Sequence, residues 1–247
     1  YLRDGAINLS GSFNVSTLTV SSGVRLGHMP QEPLNITAIN VTVLYGGNIN
    51  LTGKGFAGGT VNANGNGAGG GTGSTNGGGG GGYGGIGGSG GASGGAGGLT
   101  YGSITSPVDL GSGGGGDTSP TQGGSGGGAL FINVSDTLIV NGSITANGEN
   151  GTAAASDGAG GGAGGSIFII ANKLDGNGSI NASGGLGGDS GSTDGGGGGG
   201  GRIAVYYTTR TFNGEIDATS GPRTNQAGGA GTIFLKQDSQ TYGNLII

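Results

Sequence analysis

The sequence predicts an all-β fold, a parallel β-helix (solenoid) of about six coils with glycine-rich insertions, and three observations predict it. Apolar anchors thirteen residues apart recur as Ile36/Ile49, Phe131/Ile144, Ile167/Ile180, Ile203/Ile216 and Ile233/Ile246. From Phe131 to Ile167 to Ile203 the step is 36 residues each time, so one structural unit is reused. Between the anchors lie short turns of Asn, Gly and Asp, and no ten-residue stretch carries a helical period. The whole of 1–247 reads as a single domain, with coils over about 5–56 and 128–247 and a long glycine-rich insertion over about 57–127.

Each coil has two kinds of strand. The 36-residue step aligns Asn141-Gly-Ser-Ile-Thr-Ala, Asn177-Gly-Ser-Ile-Asn-Ala and Asn213-Gly-Glu-Ile-Asp-Ala. Polar and apolar residues alternate there, the period of a half-buried strand with Ile144, Ile180 and Ile216 pointing inward. Asn48-Ile49-Asn50-Leu51 and Gly23-Val24-Arg25-Leu26 continue that register backwards. The other strand reads Leu130-Phe131-Ile132, Ile167-Phe168-Ile169-Ile170, Ile203-Ala204-Val205-Tyr206-Tyr207 and Ile233-Phe234-Leu235, apolar at consecutive positions. Such a strand is normally covered on both faces.

The missing cover is expected from the glycine tracts, which interrupt the coils at one recurring point: roughly 57–127, 151–165, 184–201 and 221–231. Glycine runs ordinarily make flexible linkers. Beside an uncovered strand they suit polyglycine-II-like helices packed on one face, because three residues per turn and no side chains let rods approach closely and bond laterally through their backbones. A short insert would run out and back as two rods of about 6 residues, each roughly 18 Å long.

Composition excludes several function classes. Glycine supplies 72 of 247 residues, against roughly 7% in an average protein. Collagen is excluded, since proline numbers only 5 and no Gly-X-Y register exists. There is no cysteine or tryptophan and one histidine, and the net charge of −5 is spread thinly. Nothing here resembles a nucleic-acid surface or an electrostatic membrane anchor, and no apolar run is long enough for a membrane span in this segment. The chain opens at Tyr1 without methionine and closes on an apolar strand-like end, which predicts a processed product or an excerpt.

Candidate sites are few. Ten Asn-X-Ser/Thr sequons are glycosylation candidates: Asn8, Asn14, Asn35, Asn40, Asn50, Asn133, Asn141, Asn150, Asn177 and Asn181. Abundant Asn, Ser and Thr would produce some by chance, but Asn141 and Asn177 hold the same turn in successive coils. Glu215 and Asp217 form the one close acid pair on a strand face. β-Helix lyases and glycosidases use paired carboxylates, yet the equivalent residues are Ser143/Thr145 and Ser179/Asn181, so the pair belongs to a solvated row. Gly184-Gly-Leu-Gly-Gly-Asp189 resembles a calcium-binding nonapeptide, but it occurs once and Gly191 stands where an apolar residue is required. His28 stands alone and reads as a loop residue. The sequence therefore predicts no enzyme, no catalytic or metal site and no cofactor.

At Gly201-Arg202-Ile-Ala-Val-Tyr-Tyr207, Gly231-Thr-Ile-Phe-Leu-Lys236 and Gln240-Thr-Tyr-Gly-Asn-Leu-Ile246 the chain resembles glycine-rich repeat modules of very large secreted, adhesin-like surface proteins of bacteria and archaea. The resemblance covers mainly 128–247, and residues 57–127 depart from the module's usual spacing. It implies an extracellular, cell-surface role in a modular parent chain and transfers no catalytic residues. The expected function is structural: a subunit or module of a filament, surface layer or adhesin stalk. Its partner would be itself, assembled head to tail through uncapped ends, with Leu245, Ile246 and Ile247 pairing with Ile7 and Leu9 of the next copy. Deleting Tyr242 to Ile247 would then abolish polymerisation. An alternative is a surface module that binds glycans or ice without polymerising. Exposed Tyr206 and Tyr207 would favour glycans, whereas the mixed outer rows Ser/Ser/Glu and Thr/Asn/Asp weaken the case for ice.

Overall fold

A computed structural model describes residues 5–9, 11–118, 120–154, 158–190, 193–221 and 227–247. Its regular elements among the described residues are thirteen strands and no helix. Successive strands alternate between two sheets as far as the twelfth, and the thirteenth joins the sheet of the twelfth. The first holds β1 (Gly5–Leu9), β3 (Val24–His28), β5 (Asn48–Asn50), β7 (Ser143–Thr145), β9 (Ser179–Asn181) and β11 (Glu215–Asp217), in that order and all parallel. The second holds β2 (Gly11–Val20), β4 (Leu34–Val43), β6 (Ala129–Val140), β8 (Ser166–Asp175), β10 (Arg202–Arg210), β12 (Thr232–Gln237) and β13 (Asn244–Ile246).

The expected parallel β-helix, an open solenoid of about six coils with polyglycine-II-like helices on one face, is corrected by this arrangement. Two sheets of unequal size are present, one parallel with six strands and one mixed with seven. The mixture arises at the end of the chain. After β12 the backbone turns, with Gln240 N donating to Gln237 O at 2.9 Å. The chain then comes back antiparallel on β12, pairing Ile233 with Ile246, Phe234 with Leu245 and Leu235 with Asn244. The anchor pair Ile233/Ile246 thus sits face to face in one sheet, whereas Ile36/Ile49, Ile167/Ile180 and Ile203/Ile216 divide between the two sheets.

Apolar rows across the strands form the core. Leu34, Leu130, Ile167, Ile203 and Ile233 make one row of the second sheet, and Ile36, Ile132, Ile169, Val205 and Leu235 the next. Opposite them the first sheet contributes Ile7, Leu26, Ile49, Ile144, Ile180 and Ile216. Each fully buried aliphatic side chain in these rows contributes roughly 1.5–3 kcal/mol. Phe131, which the 36-residue step aligns with Ile167 and Ile203, does not share their row. A β-bulge between Val134 and Thr137 gives β6 one residue more than its neighbours, so Leu130 pairs with Ile167. Phe131 faces outward against Phe168 with ring centroids 5.1 Å apart, and the aromatic row continues through Tyr206 to Phe234.

The glycine segments form a third mass against the second sheet, held by backbone hydrogen bonds. Gly78, Gly79 and Gly80 donate to the carbonyls of Gly158, Thr72 and Gly88. Three residues on, Gly81, Gly82 and Tyr83 donate to Gly161, Gly69 and Gly85, which belong to the same three neighbours. Carbonyls of this segment accept from Gly98, Gly115 and Gly196. Each stretch thus bonds to segments all around it. Glycine is obligatory at the contacts: a Cβ on Gly80 would run into the carbonyl of Gly197, and one on Gly160 into that of Gly79.

Candidate assembly surface and buried polar cluster

The two ends of the stacked sheets differ. At one end β1 and β2 are the edge strands. At the other the second sheet carries β13 as its seventh strand, and the first sheet stops at β11 without a counterpart. The step leaves a cleft of about 240 Å³ lined by Ile216, Ala218, Ala230, Ile233, Ile246 and Ile247 among others. Sequence-equivalent positions show what is missing there. Ile144 and Ile180 are fully buried, while Ile216 in the same row is only partly buried. Ile7 at the opposite end of that row is likewise partly buried, as is Leu9.

The candidate assembly residues fall at both ends. Leu245 and Ile246 bond within their own chain to β12, a pairing the sequence reading reserved for a second copy. Their side chains stay half exposed, and Ile247 is 82% exposed. Of the sequons, Asn8, Asn14, Asn141, Asn150 and Asn177 are exposed, and Asn35, Asn40, Asn50, Asn133 and Asn181 are half-buried. Several half-buried side chains already serve the fold: Asn50 Oδ1 accepts from Thr52 N at 2.9 Å, Asn181 Oδ1 from Ser183 N at 2.8 Å, and Asn40 Oδ1 from Thr137 N at 3.2 Å. Asn141 and Asn177 stand at neighbouring turns, with Asn177 N donating to Asn141 Oδ1 at 3.2 Å. Strands about 4.8 Å apart leave no room for a branched glycan on both.

Glu215 and Asp217 are the first and last residues of β11. Asp217 Oδ2 accepts from Ser183 Oγ at 2.6 Å and from Thr219 Oγ1 at 3.0 Å, which ties it into the polar face of the first sheet. Asp189 is exposed, and His28 is the last residue of β3. No group of three His, Cys, Asp or Glu suited to a metal ion occurs among the described residues.

Sequence reasoning missed the most elaborate polar constellation, which fixes the long insertion to the second sheet. Ser166, Arg202 and Thr232 are the first residues of β8, β10 and β12, paired in one row and all buried. From the insertion, Tyr83 sends its hydroxyl to Ser166 Oγ at 2.6 Å, and Ser166 Oγ donates to Asp109 O. Tyr101 Oη donates to Leu110 O and lies 2.8 Å from Ser112 Oγ. Arg202 donates through Nε to Tyr101 O at 2.9 Å, through one terminal nitrogen to Thr232 Oγ1 at 3.1 Å and through the other to Tyr83 O at 3.4 Å. Its guanidinium lies 5.5 Å from the Tyr83 ring centroid.

Burial governs the protonation of this cluster. It pushes the Tyr83 hydroxyl well above its ordinary value and the Tyr101 hydroxyl up to about 12. Burial also lowers the Arg202 pKa, with the neighbouring Tyr83, Asp109 and Tyr101 opposing that shift. Both phenols therefore stay protonated near neutrality and donate hydrogen bonds, Tyr83 across the joint to Ser166 of the second sheet and Tyr101 to Leu110 O within the insertion. A second such device is Asp117, fully buried, whose Oδ2 accepts from Gly77 N at 3.1 Å and Gly158 N at 3.0 Å, joining two glycine segments. The one available signal was the placement of Ser166, Arg202 and Thr232 directly after glycine runs.

Tyr206 donates its hydroxyl to Thr105 O at 3.0 Å and packs in the aromatic row, so it is committed to the fold. Tyr207 is a partly buried residue packed against the core. No helix among the described residues is long and apolar enough to cross a membrane. Comparison of the chain with protein-family models, with curated proteins and with solved structures gives no match.

Proposed function

We propose that the chain is an extracellular structural protein, a non-enzymatic subunit or module of a cell-surface filament, surface layer or adhesin stalk that joins copies of itself head to tail. One observation carries the reading. The core row Ile7, Leu26, Ile49, Ile144, Ile180, Ile216 has four members with no exposure in its middle and a half-covered isoleucine at each end. A second copy set with its β1 along β11 would place its Ile7 on Ile216 and complete the row. Such a contact joins unlike surfaces and does not close, so it propagates. Sugars on the exposed sequons Asn8, Asn14 and Asn150 would keep the flanks of the fibre soluble.

Continuation of both sheets has one obstacle. β1 and β2 begin the two sheets side by side, so a copy whose β1 meets β11 brings its β2 to the place β13 holds on β12. Assembly in this reading therefore exchanges β13, a three-residue strand with half-exposed side chains, for the ten-residue β2 of the next copy. The test is electron microscopy and sedimentation of the chain beside Ile216→Asp and a deletion of 242–247. Because β13 occupies the place on β12 that β2 of the next copy would take, the expectation that removing Tyr242 to Ile247 abolishes polymerisation is reversed: fibres in the parent, none with Ile216→Asp, and more or faster fibres in the deletion are the expected results. Monomers in both the parent and the deletion, or fibres that persist in Ile216→Asp, would overturn the reading.

A further inference from the structure

A groove of about 880 Å³ runs across the turns that lead into β5, β7, β9 and β11. Along it stand Tyr45, Asn141, Asn177, Asn213 and Glu215, one or two from each turn. Its floor is bare backbone, since a Cβ on Gly178 would meet the carbonyl of Gly142 and one on Gly214 that of Gly178. Four turns at about 4.8 Å spacing make a track of roughly 14 Å.

We propose that this groove binds a linear, uncharged polysaccharide lying along the stacking direction. Three features of the groove select that ligand class. Most backbone N–H groups along the floor are already engaged: Gly142 donates to Val43 O, Gly178 to Val140 O, Asn213 to Gly176 O and Glu215 to Gly178 O. A peptide strand finds no ladder there, so recognition falls to side chains. Asparagine amides, each with donors and an acceptor, stand at three successive turns of the four, Asn141 Oδ1 also accepting from Asn177 N at 3.2 Å, and their repeat suits the repeating hydroxyls of a sugar polymer. Tyr45 is 86% exposed at the end of the track, and its ring offers an apolar face for a pyranose and a polar tip beside it. The sole charged residue of the lining is Glu215, which disfavours anionic polymers.

Ile216 and β13 take no part in the lining, but Glu215 is the first residue of β11, the edge that end-to-end assembly uses, so binding is read apart from fibre formation. Binding is read by isothermal titration on protein made in a host without N-glycosylation, so that Asn141 and Asn177 carry no sugar. The probes are cellohexaose, mannohexaose, laminarihexaose and, as an anionic control, hexagalacturonate. At least one neutral oligomer binds and hexagalacturonate does not. Tyr45→Ala weakens that binding by about tenfold, and Asn213→Ala, which alters no sequon, weakens it several-fold. Circular dichroism checks that both variants are folded, and the titration is repeated on Ile216→Asp to separate it from fibre formation. Failure of every neutral oligomer to bind, or binding unaltered in both Tyr45→Ala and Asn213→Ala, overturns the proposal.

Discussion

The two sheets and the glycine bundle solve the same problem by opposite means. In the sheets, order follows from side chains: Leu26, Ile49, Ile144 and Ile180 leave water together, and the backbone ladder follows. In the bundle, order follows from the lack of side chains, which lets carbonyl and amide groups of adjacent segments meet in three directions at once. Ordering glycine costs more backbone entropy than ordering any other residue. The bundle is held against that cost by the density of its hydrogen bonds, by the Asp117 clamp and by the Arg202 and tyrosine joint to the second sheet. An apolar core tolerates a change of side chain, whereas at most of the inner glycines of this bundle an added Cβ would strike a neighbouring carbonyl.

The sharpest break in the comparison is steric. Gly80→Val and Gly160→Val each drive a side chain into a neighbouring carbonyl, and about 3 kcal/mol or more of stability is lost. Ile132→Val in the sheet core costs about 1 kcal/mol. Paired denaturant titrations give both numbers, and equal losses would show that the bundle packs no more tightly than a loop.

Next comes the clamp. Asp117→Ala leaves the amides of Gly77 and Gly158 without their acceptor and costs about 3 kcal/mol, while Asp117→Asn, which keeps one acceptor oxygen, loses less. Thermal unfolding ranks the two variants, and a neutral alanine variant would mean that the contact between the segments is incidental.

The joint is tested by alkali. Tyr101 has a folded pKa of about 12 against an ordinary 10.0, so its contribution is complete below pH 10 and is lost as the pH climbs to about 12; Tyr83 is shifted in the same direction. Melting curves recorded up the alkaline range show the decline, and Tyr101→Phe flattens part of it. A decline unaltered in Tyr101→Phe would place its origin elsewhere.

The smallest effect sharpens the contrast between buried joints and surface pairs. Lys173 Nζ meets Asp175 Oδ2 at 2.7 Å across partly exposed side chains, and Lys173→Ala leaves the melting midpoint unaltered.

The alternating strands of the first sheet were legible because a period of two and a 36-residue step survive in Ile144, Ile180 and Ile216. The reversal of β13 was not, since Ile246 carries the same thirteen-residue spacing from Ile233 that other anchors use to change sheets. Only the turn at 237–240 distinguishes the cases, and its effect depends on an edge being open to receive the strand. The outward turn of Phe131 was hidden by a single-residue bulge that shifts the register by one. The polar joint was out of reach, because Tyr83, Asp109 and Arg202 are brought together across more than a hundred positions of chain by packing that no local pattern encodes. The groove was half legible: the asparagine turns were visible as sequons, and Tyr45 stood outside the repeat.

A protease recognises an extended substrate by seating its side chains in pockets and bonding its backbone edges. Long surface segments between ordered elements are where such cleavage usually falls. The segment from Gly55 to Gly128 has that position in the chain, yet along its glycine runs it offers no side chain to grip and few amides that are not already bonded to a neighbour. The glycine runs, which look most vulnerable in sequence, are thereby closed to a digestive enzyme in the folded chain, and cleavage of this segment is steered to the exposed side chains between them, such as Leu99 and Val108.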